Sequence, residues 1–174
     1  MGPGMRFSVR VKTSAAACAV FDPQALQAWR ACTDPYEVLH GVEDEVTDGH
    51  MLLYNPAADG EYEFLFLVEE RPSPQLISRS YGSITNVLLR VPSGALVVAG
   101  IEALPAIVAS GGEVPMSATQ TVRSGAYRVD AHNLEVMDDC EGSDDDESAD
   151  ALFVLQRIDD PETVRAMRGG TLAL

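Results

Sequence analysis

The stretch EYEFLFLVEE at 61–70 constrains this chain more than any other. Successive side chains of a strand point to opposite faces, so Tyr62, Phe64, Phe66 and Val68 form one apolar row and Leu65 and Leu67 a second row behind it. Such a strand needs cover on both sides. It is predicted to run inside a sheet, between a second sheet and further cover. A second subunit over one face is the alternative, and would make the chain an oligomeric structural protein.

The rest of the chain repeats the strand signal in shorter pieces. Phe7, Val9 and Val11 alternate with Arg6, Arg10 and Lys12, a half-buried strand with one wet face, and ACAVF at 17–21 follows a turn near Thr13 and Ser14. HMLLYN (50–55) and the 61–70 strand flank an Asp59–Gly60 turn, which predicts a hairpin. ITNVLLRV (84–91) and ALVVAGI (95–101), joined by Pro92-Ser93-Gly94, predict another. ATQTV (118–122) and AYRVDA (126–131), joined by Ser124–Gly125, predict a third, and ALFVLQRI (151–158) closes the series. Between Ala131 and Leu134 the apolar parity changes, and a bulge or turn at His132–Asn133 is expected there. Helices are few: Asp22–Pro23 ahead of Leu26 and Trp29, Asp34–Pro35 ahead of YEVLH and Gly41, and Asp160–Pro161 running to about Arg168 each pair an N-cap with a first-turn proline. Seven to nine short strands with two or three short capping helices predict an all-β protein, an antiparallel β-sandwich in one domain over 5–174.

Charge narrows the partners. Asp and Glu outnumber Lys and Arg by 27 to 12, a formal net charge of −15 that repels nucleic-acid phosphates and anionic membranes and favours a basic protein. Eleven of the basic residues are Arg, a bacterial-looking bias. Eight acids fall in DDCEGSDDDESAD, residues 138–150, between HNLEV and ALFVLQRI. Serial like charges without apolar anchors predict a mobile loop in a long hairpin connection. Asp138, Asp139, Glu141, Asp144, Asp145, Asp146, Glu147 and Asp150 are the candidate partner-binding residues. No register of this run, nor of EDEVTDG upstream, gives the ligand order of a calcium hand.

Catalytic signatures are thin. His40, His50 and His132 are scattered and form no metal-binding pattern, and His40 suits a helix C-terminus. Cys18, Cys32 and Cys140 suggest neither a disulfide framework nor a zinc knuckle, and Cys18 lies in an apolar stretch that suits a core position. No nucleophile elbow, P-loop or dinucleotide fingerprint occurs. The interrupted N-terminal pattern is a strand and not an export signal. No apolar run is long enough to cross a membrane as a helix, and a cytoplasmic setting is expected. Neither an enzyme nor a cofactor is predicted. The alternative is an enzyme or small-ligand binder whose pocket gathers polar groups such as His50, Tyr54, Tyr127 or His132.

Three motifs carry a resemblance. Phe21-Asp22-Pro23, Arg90-Val91-Pro92 and Gly125-Ala126-Tyr127 follow one another as in small bacterial all-β proteins and, more remotely, the competence-nuclease inhibitor family, across roughly residues 5–136. The resemblance implies an all-β fold and a non-catalytic role as an inhibitor or immunity factor for a basic protein such as a nuclease. It assigns no functional residue, and the acidic run and the last helix lie outside it.

Overall fold

The computed structural model describes residues 3–26, 41–110, 119–137 and 148–173. Ten strands occur among them: β1 Met5–Thr13, β2 Cys18–Phe21, β3 Met51–Asn55, β4 Gly60–Val68, β5 Ser80–Val91, β6 Ala95–Gly100, β7 Thr119–Thr121, β8 Gly125–Leu134, β9 Ala151–Ile158 and β10 Thr171–Ala173. They form two five-stranded sheets, one in the order β1-β4-β9-β8-β5 and the other β10-β3-β2-β6-β7. The all-β sandwich expected from the sequence is what forms. Most pairings are antiparallel, but β4 with β9 and β3 with β10 are parallel.

The 61–70 stretch behaves as its alternation requires. β4 lies inside its sheet, with Phe64, Phe66 and Val68 in the core between the sheets. Leu65 and Leu67 sit in a second cluster on the outer face, with Leu134, Leu152 and Val154. A short helix, α2 (Pro74–Ser78), covers that face through Leu76, and Ser73 caps it by accepting from the Leu76 amide. Both faces are thus covered within the chain, without a second subunit. Phe7, Phe66 and Phe153 stack in series at 5.0 Å between ring centres, and Tyr54 meets Phe64 edge-on at 4.9 Å. Packing of this kind adds to the burial of the rings.

The outer face of the second sheet is covered by α1 (Val42–Thr47) and α3 (Leu104–Ala109). Val42, Val46, Leu104, Ile107 and Val108 pack on Phe21, Met51, Leu53 and Val97. Val42 and Val46 are one helical turn apart and therefore share a face. EDEVTDG is thus α1 and its C-terminal turn. The helix at Asp160–Pro161 forms as α4 (Pro161–Ala166), with Asp160 capping it, and ends two residues short of Arg168. Asp22 holds a turn into Gln24 and Ala25. Trp29 and the Asp34–Pro35 helix with His40 lie outside the described residues, as do Cys32 and Cys140.

The three predicted hairpins do not form. β3 and β4 belong to different sheets, as do β5 and β6, and β7 and β8. The turn residues at Asp59–Gly60, Pro92–Gly94 and Ser124–Gly125 reverse the chain across the core instead of along one sheet. Gly60 does not take the left-handed conformation that a two-residue hairpin of the Asp-Gly type requires. The β8–β9 connection is the hairpin the sequence suggests, paired from Ala126↔Ile158 to Asn133↔Ala151. The bulge or turn expected at His132–Asn133 is also absent. Asn133 continues the inward row of Tyr127, Val129 and Ala131, buried, with its Nδ2 donating to the Ala173 carbonyl at 2.9 Å. Leu134 belongs to the outer row. The irregularities sit opposite, in β5, where Asn86 takes φ 59° and donates its amide to Asp130 Oδ1 at 2.7 Å.

Candidate functional site

The motifs Phe21-Asp22-Pro23, Arg90-Val91-Pro92 and Gly125-Ala126-Tyr127 meet at one end of the sandwich. Asp22 is fully buried and accepts from the Gln24 amide at 2.8 Å, the Ser93 amide at 2.7 Å and the Ser93 hydroxyl at 2.7 Å. A buried carboxylate is tolerated only when its oxygens are satisfied in this way. The bonds tie the first motif to the turn after the second. The second and third pair directly through Arg90↔Ala126 and Val91↔Gly125, with Tyr127 opposite Leu89, the residue before the second motif.

A cleft of about 390 Å³ opens where they meet. Ala25, Pro92 and Ala126 supply its apolar wall; His50, Arg90 and Ser124 supply its polar groups, with Gly125 between. His50 arrives there through the end of α1. Asp48 is the C-cap and Gly49 follows with φ 73°. The Gly49 amide donates to Val46 O at 3.0 Å and the His50 amide to Glu45 O at 2.9 Å. This is the paired bonding of a glycine-terminated helix, which turns the residue after the glycine back over the last turn. His50 Nδ1 accordingly sits 2.7 Å from Glu45 Oε2. A carboxylate only accepts, so Nδ1 carries the hydrogen and Nε2 is the ring nitrogen left over.

The same turn fixes Arg90. Its amide donates to Gly49 O at 2.7 Å and its Nε to Asp48 O at 3.3 Å. A Cβ on Gly49 would fall 2.6 Å from Leu88 Cγ, so only glycine lets the turn lie this close to β5. The C-terminal segment locks the arrangement: Arg168 O accepts from the Leu88 amide at 2.9 Å, and the Gly169 amide donates to Thr47 O at 3.2 Å.

A second cavity of about 370 Å³ lies beyond Gly125, bounded by Glu69, Arg123, Tyr127, Arg157 and Asp159 among others. Arg157 Nη1 is 3.1 Å from Asp159 Oδ1, and Glu69 accepts from the Arg157 amide. Gly125, at φ 151°, leaves room for the Arg157 guanidinium, whose Nε would sit 2.8 Å from a Cβ there. Burial pushes the Tyr127 phenol up, while the Arg157 and Arg123 guanidinium groups pull it down and Glu69 adds to the rise.

At the opposite end of the sandwich stands Asp150, the last acid of the 138–150 run. Asp138, Asp139, Glu141, Asp144, Asp145, Asp146 and Glu147 lie outside the described residues. Asp150 is half-buried: its Oδ2 accepts from the Glu63 amide at 2.7 Å and its own amide donates to Glu63 O at 2.8 Å. Burial raises its carboxyl, the Glu63 amide opposes the rise and the Glu63 charge adds to it. At the root of the run four large apolar side chains are exposed: Tyr81 by 56 %, Met137 by 53 %, Val136 by 48 % and Ile77 by 36 %. The two segments that hold them are joined side by side, since the Glu135 amide donates to Arg79 O and Arg79 donates back to Glu135 O, at 2.9 Å and 2.8 Å.

The polar residues that a hidden pocket was expected to gather are dispersed. His50 lines the first cleft and Tyr127 the second cavity, while Tyr54 is a core residue packed on Phe64. His132 bonds Ser80 Oγ at 3.1 Å, and burial lowers its pKa against the pull of Asp130. The sequence marks Arg90 and Ser124 only as motif and turn residues and His50 only as a single pocket candidate, not its pairing with Glu45. A glutamate followed four residues later by Gly-His is the signal that points to the pair. Cys18 is a core residue; burial, helped by Glu102, pushes its thiol up to about 12, away from nucleophilic use. Among the described residues no group of three or more His, Cys, Asp or Glu could hold a metal ion, and no helix is long and apolar enough to cross a membrane.

No protein-family model matches the chain, and no curated protein sequence matches it. Two solved structures share its fold. One, "Crocagin biosynthetic gene J", superposes with a TM-score of 0.55 at 16 % identity, covering 89 % of this chain and 97 % of its own. The other is ComJ from Bacillus subtilis, described as an inhibitor of the DNA degrading activity of NucA. It superposes with a TM-score of 0.53 at 12 % identity, covering 90 % of this chain and all of its own. At these identities the likeness is one of fold.

Proposed function

We propose that the chain is a non-catalytic protein-binding module, an inhibitor or immunity factor for a basic protein such as a nuclease, and that it meets its partner with the acidic end of the sandwich. The observation that carries this reading is a coincidence in space: the exposed side chains of Tyr81, Val136 and Met137 stand where the acidic run of residues 138–150 begins. Affinity in protein interfaces comes chiefly from a few desolvated aromatic and apolar anchors. Surrounding charge of one sign steers the partner and raises the association rate. A set of carboxylates also presents the charge that a nuclease reads on a phosphate backbone. The fold shared with an inhibitor of a DNA-degrading enzyme supports the same class of partner, without identifying it.

The test separates the two contributions. Proteins captured from lysate of the source organism are compared between the wild type, the Asp144→Ser/Asp145→Ser/Asp146→Ser variant and the Tyr81→Ser/Met137→Ser variant, at low and high salt. A basic protein held by the wild type, released by salt and lost by both variants is expected, and its enzymatic activity should fall when the wild-type chain is added. Identical captures on all three baits, insensitive to salt, would refute the proposal.

A further inference from the structure

The cleft at the other end of the molecule has a chemistry of its own. In a chain of net charge −15, its lining among the described residues holds two basic side chains and no acidic one. Its volume, about 390 Å³, falls in the range of small-molecule sites, which combine an apolar wall with a few convergent polar groups. Arg90 is held through its Nε and its backbone amide, and its two terminal nitrogens make no bond among the described residues. Two parallel N–H groups in that fork match the two oxygens of a carboxylate or phosphate. His50 is oriented from behind by Glu45, which leaves Nε2 for a ligand. The second cavity lacks this character, because Glu69 and Asp159 line it alongside its arginines and Asp159 already pairs with Arg157.

We infer that this cleft is a binding site for a small organic anion, its carboxylate or phosphate group held between Arg90 and His50 and its apolar body against Pro92 and Ala126. The site is built rather than incidental. Gly49 admits no side chain, the end of α1 presents His50, and the Asp22–Ser93 bonds fix the turn after Arg90.

The experiment is an NMR titration of the full chain at constant ionic strength, with inorganic phosphate in one arm and benzoate in the other. The His50 ring and the Ser124 and Gly125 amides are the reporters. Saturable shifts confined to these groups are expected, with none when chloride is the added salt. A response to phosphate alone assigns a phosphoryl group, and a response to benzoate alone a carboxylate. Arg90→Gln should weaken binding by about tenfold or more, the loss of a charge-assisted fork. Ala126→Glu, which places a carboxylate in the cleft directly opposite Arg90, should do the same. Arg123→Gln in the second cavity should leave binding unchanged. Absence of saturable shifts in both arms, or equal affinity in the Arg90→Gln and Ala126→Glu variants, overturns the inference. Partner capture through the acidic end is a separate readout, so either proposal can fail alone.

Discussion

The two ends of β8 are about 30 Å apart, at roughly 3.4 Å per residue, and they solve opposite problems. At the Gly125 end the backbone approaches at Gly49 and Gly169 are close, and the buried Asp22 carboxylate is satisfied by hydrogen bonds. At the Leu134 end large apolar side chains stand in solvent and the Asp150 carboxyl lies close to the charge of Glu63. The tyrosines report the difference. Burial raises the phenols of Tyr54, Tyr62 and Tyr81, and in each the charge of Asp150 adds to the rise. Burial also raises Tyr127, but there Arg157 and Arg123 pull the other way. One end is fixed by geometry and carries the cleft of Arg90 and His50; the other exposes Tyr81, Val136 and Met137. Rigid construction suits a small ligand, whereas an open, charged surface suits a macromolecular partner.

If the first end is held by geometry, removing its room should be the most damaging change. A Cβ on Gly169 would lie 1.6 Å from the carbonyl oxygen of Val46, a backbone atom that cannot rotate aside. Gly169→Ala is therefore expected to cost about 3 kcal/mol or more, the range of severe overpacking. It should also expel the segment that bonds Thr47 and Leu88. Urea unfolding would show it, with hydrogen exchange fastest in β10 and at the end of α1. A loss below about 1 kcal/mol would mean that this end is not locked.

Next in size comes Asp22→Ala. It leaves the amides of Gln24 and Ser93 and the Ser93 hydroxyl without their acceptor, and should cost about 2–3 kcal/mol. Ser93→Ala removes only the hydroxyl and should cost about 1 kcal/mol. Because both act on one cluster, the double variant should lose less than the sum of the two. Full additivity in a double-mutant cycle would show that the bond between them is not what joins the motifs.

Much of this was legible from residue order alone. The two apolar rows of 61–70, the inward set Val9 and Val11, and the Asp160–Pro161 cap follow from local periodicity and capping chemistry, and they form as read. The hairpins failed because a turn such as Pro92-Ser93-Gly94 reverses a chain equally well within a sheet or from one sheet to the other. Which occurs is decided by the strands that compete for its edges, and those lie far away in sequence. Asn133 misled for a related reason: a polar residue in an apolar row looks like a break until its partner, the Ala173 carbonyl, is known. The motif triplet was visible, but its meaning was not. Asp22 and Ser93 are separated by 71 positions, and only folding brings the carboxylate to the hydroxyl.

The gentlest probe bears on the acidic end. Asp150 is held with its carboxyl raised above the ordinary 3.8, by burial first and by the Glu63 charge as well, with the Glu63 amide opposing. The sign follows from linkage. Between the unfolded value and the raised one, the folded chain binds a proton that the unfolded chain does not. Ionised Asp150 is therefore a burden at neutral pH, and its contribution to stability improves as pH falls through the raised value, complete below 3.8. Asn in its place keeps an acceptor for the Glu63 amide and removes the charge. Asp150→Asn should match or slightly exceed the wild type in urea midpoint at pH 7, and lose this part of the gain on acidification. A clear loss at pH 7 would mean that the charge itself holds the strands together there. The contrast between an end built for close fit and an end that tolerates its own repulsion would then have to be abandoned.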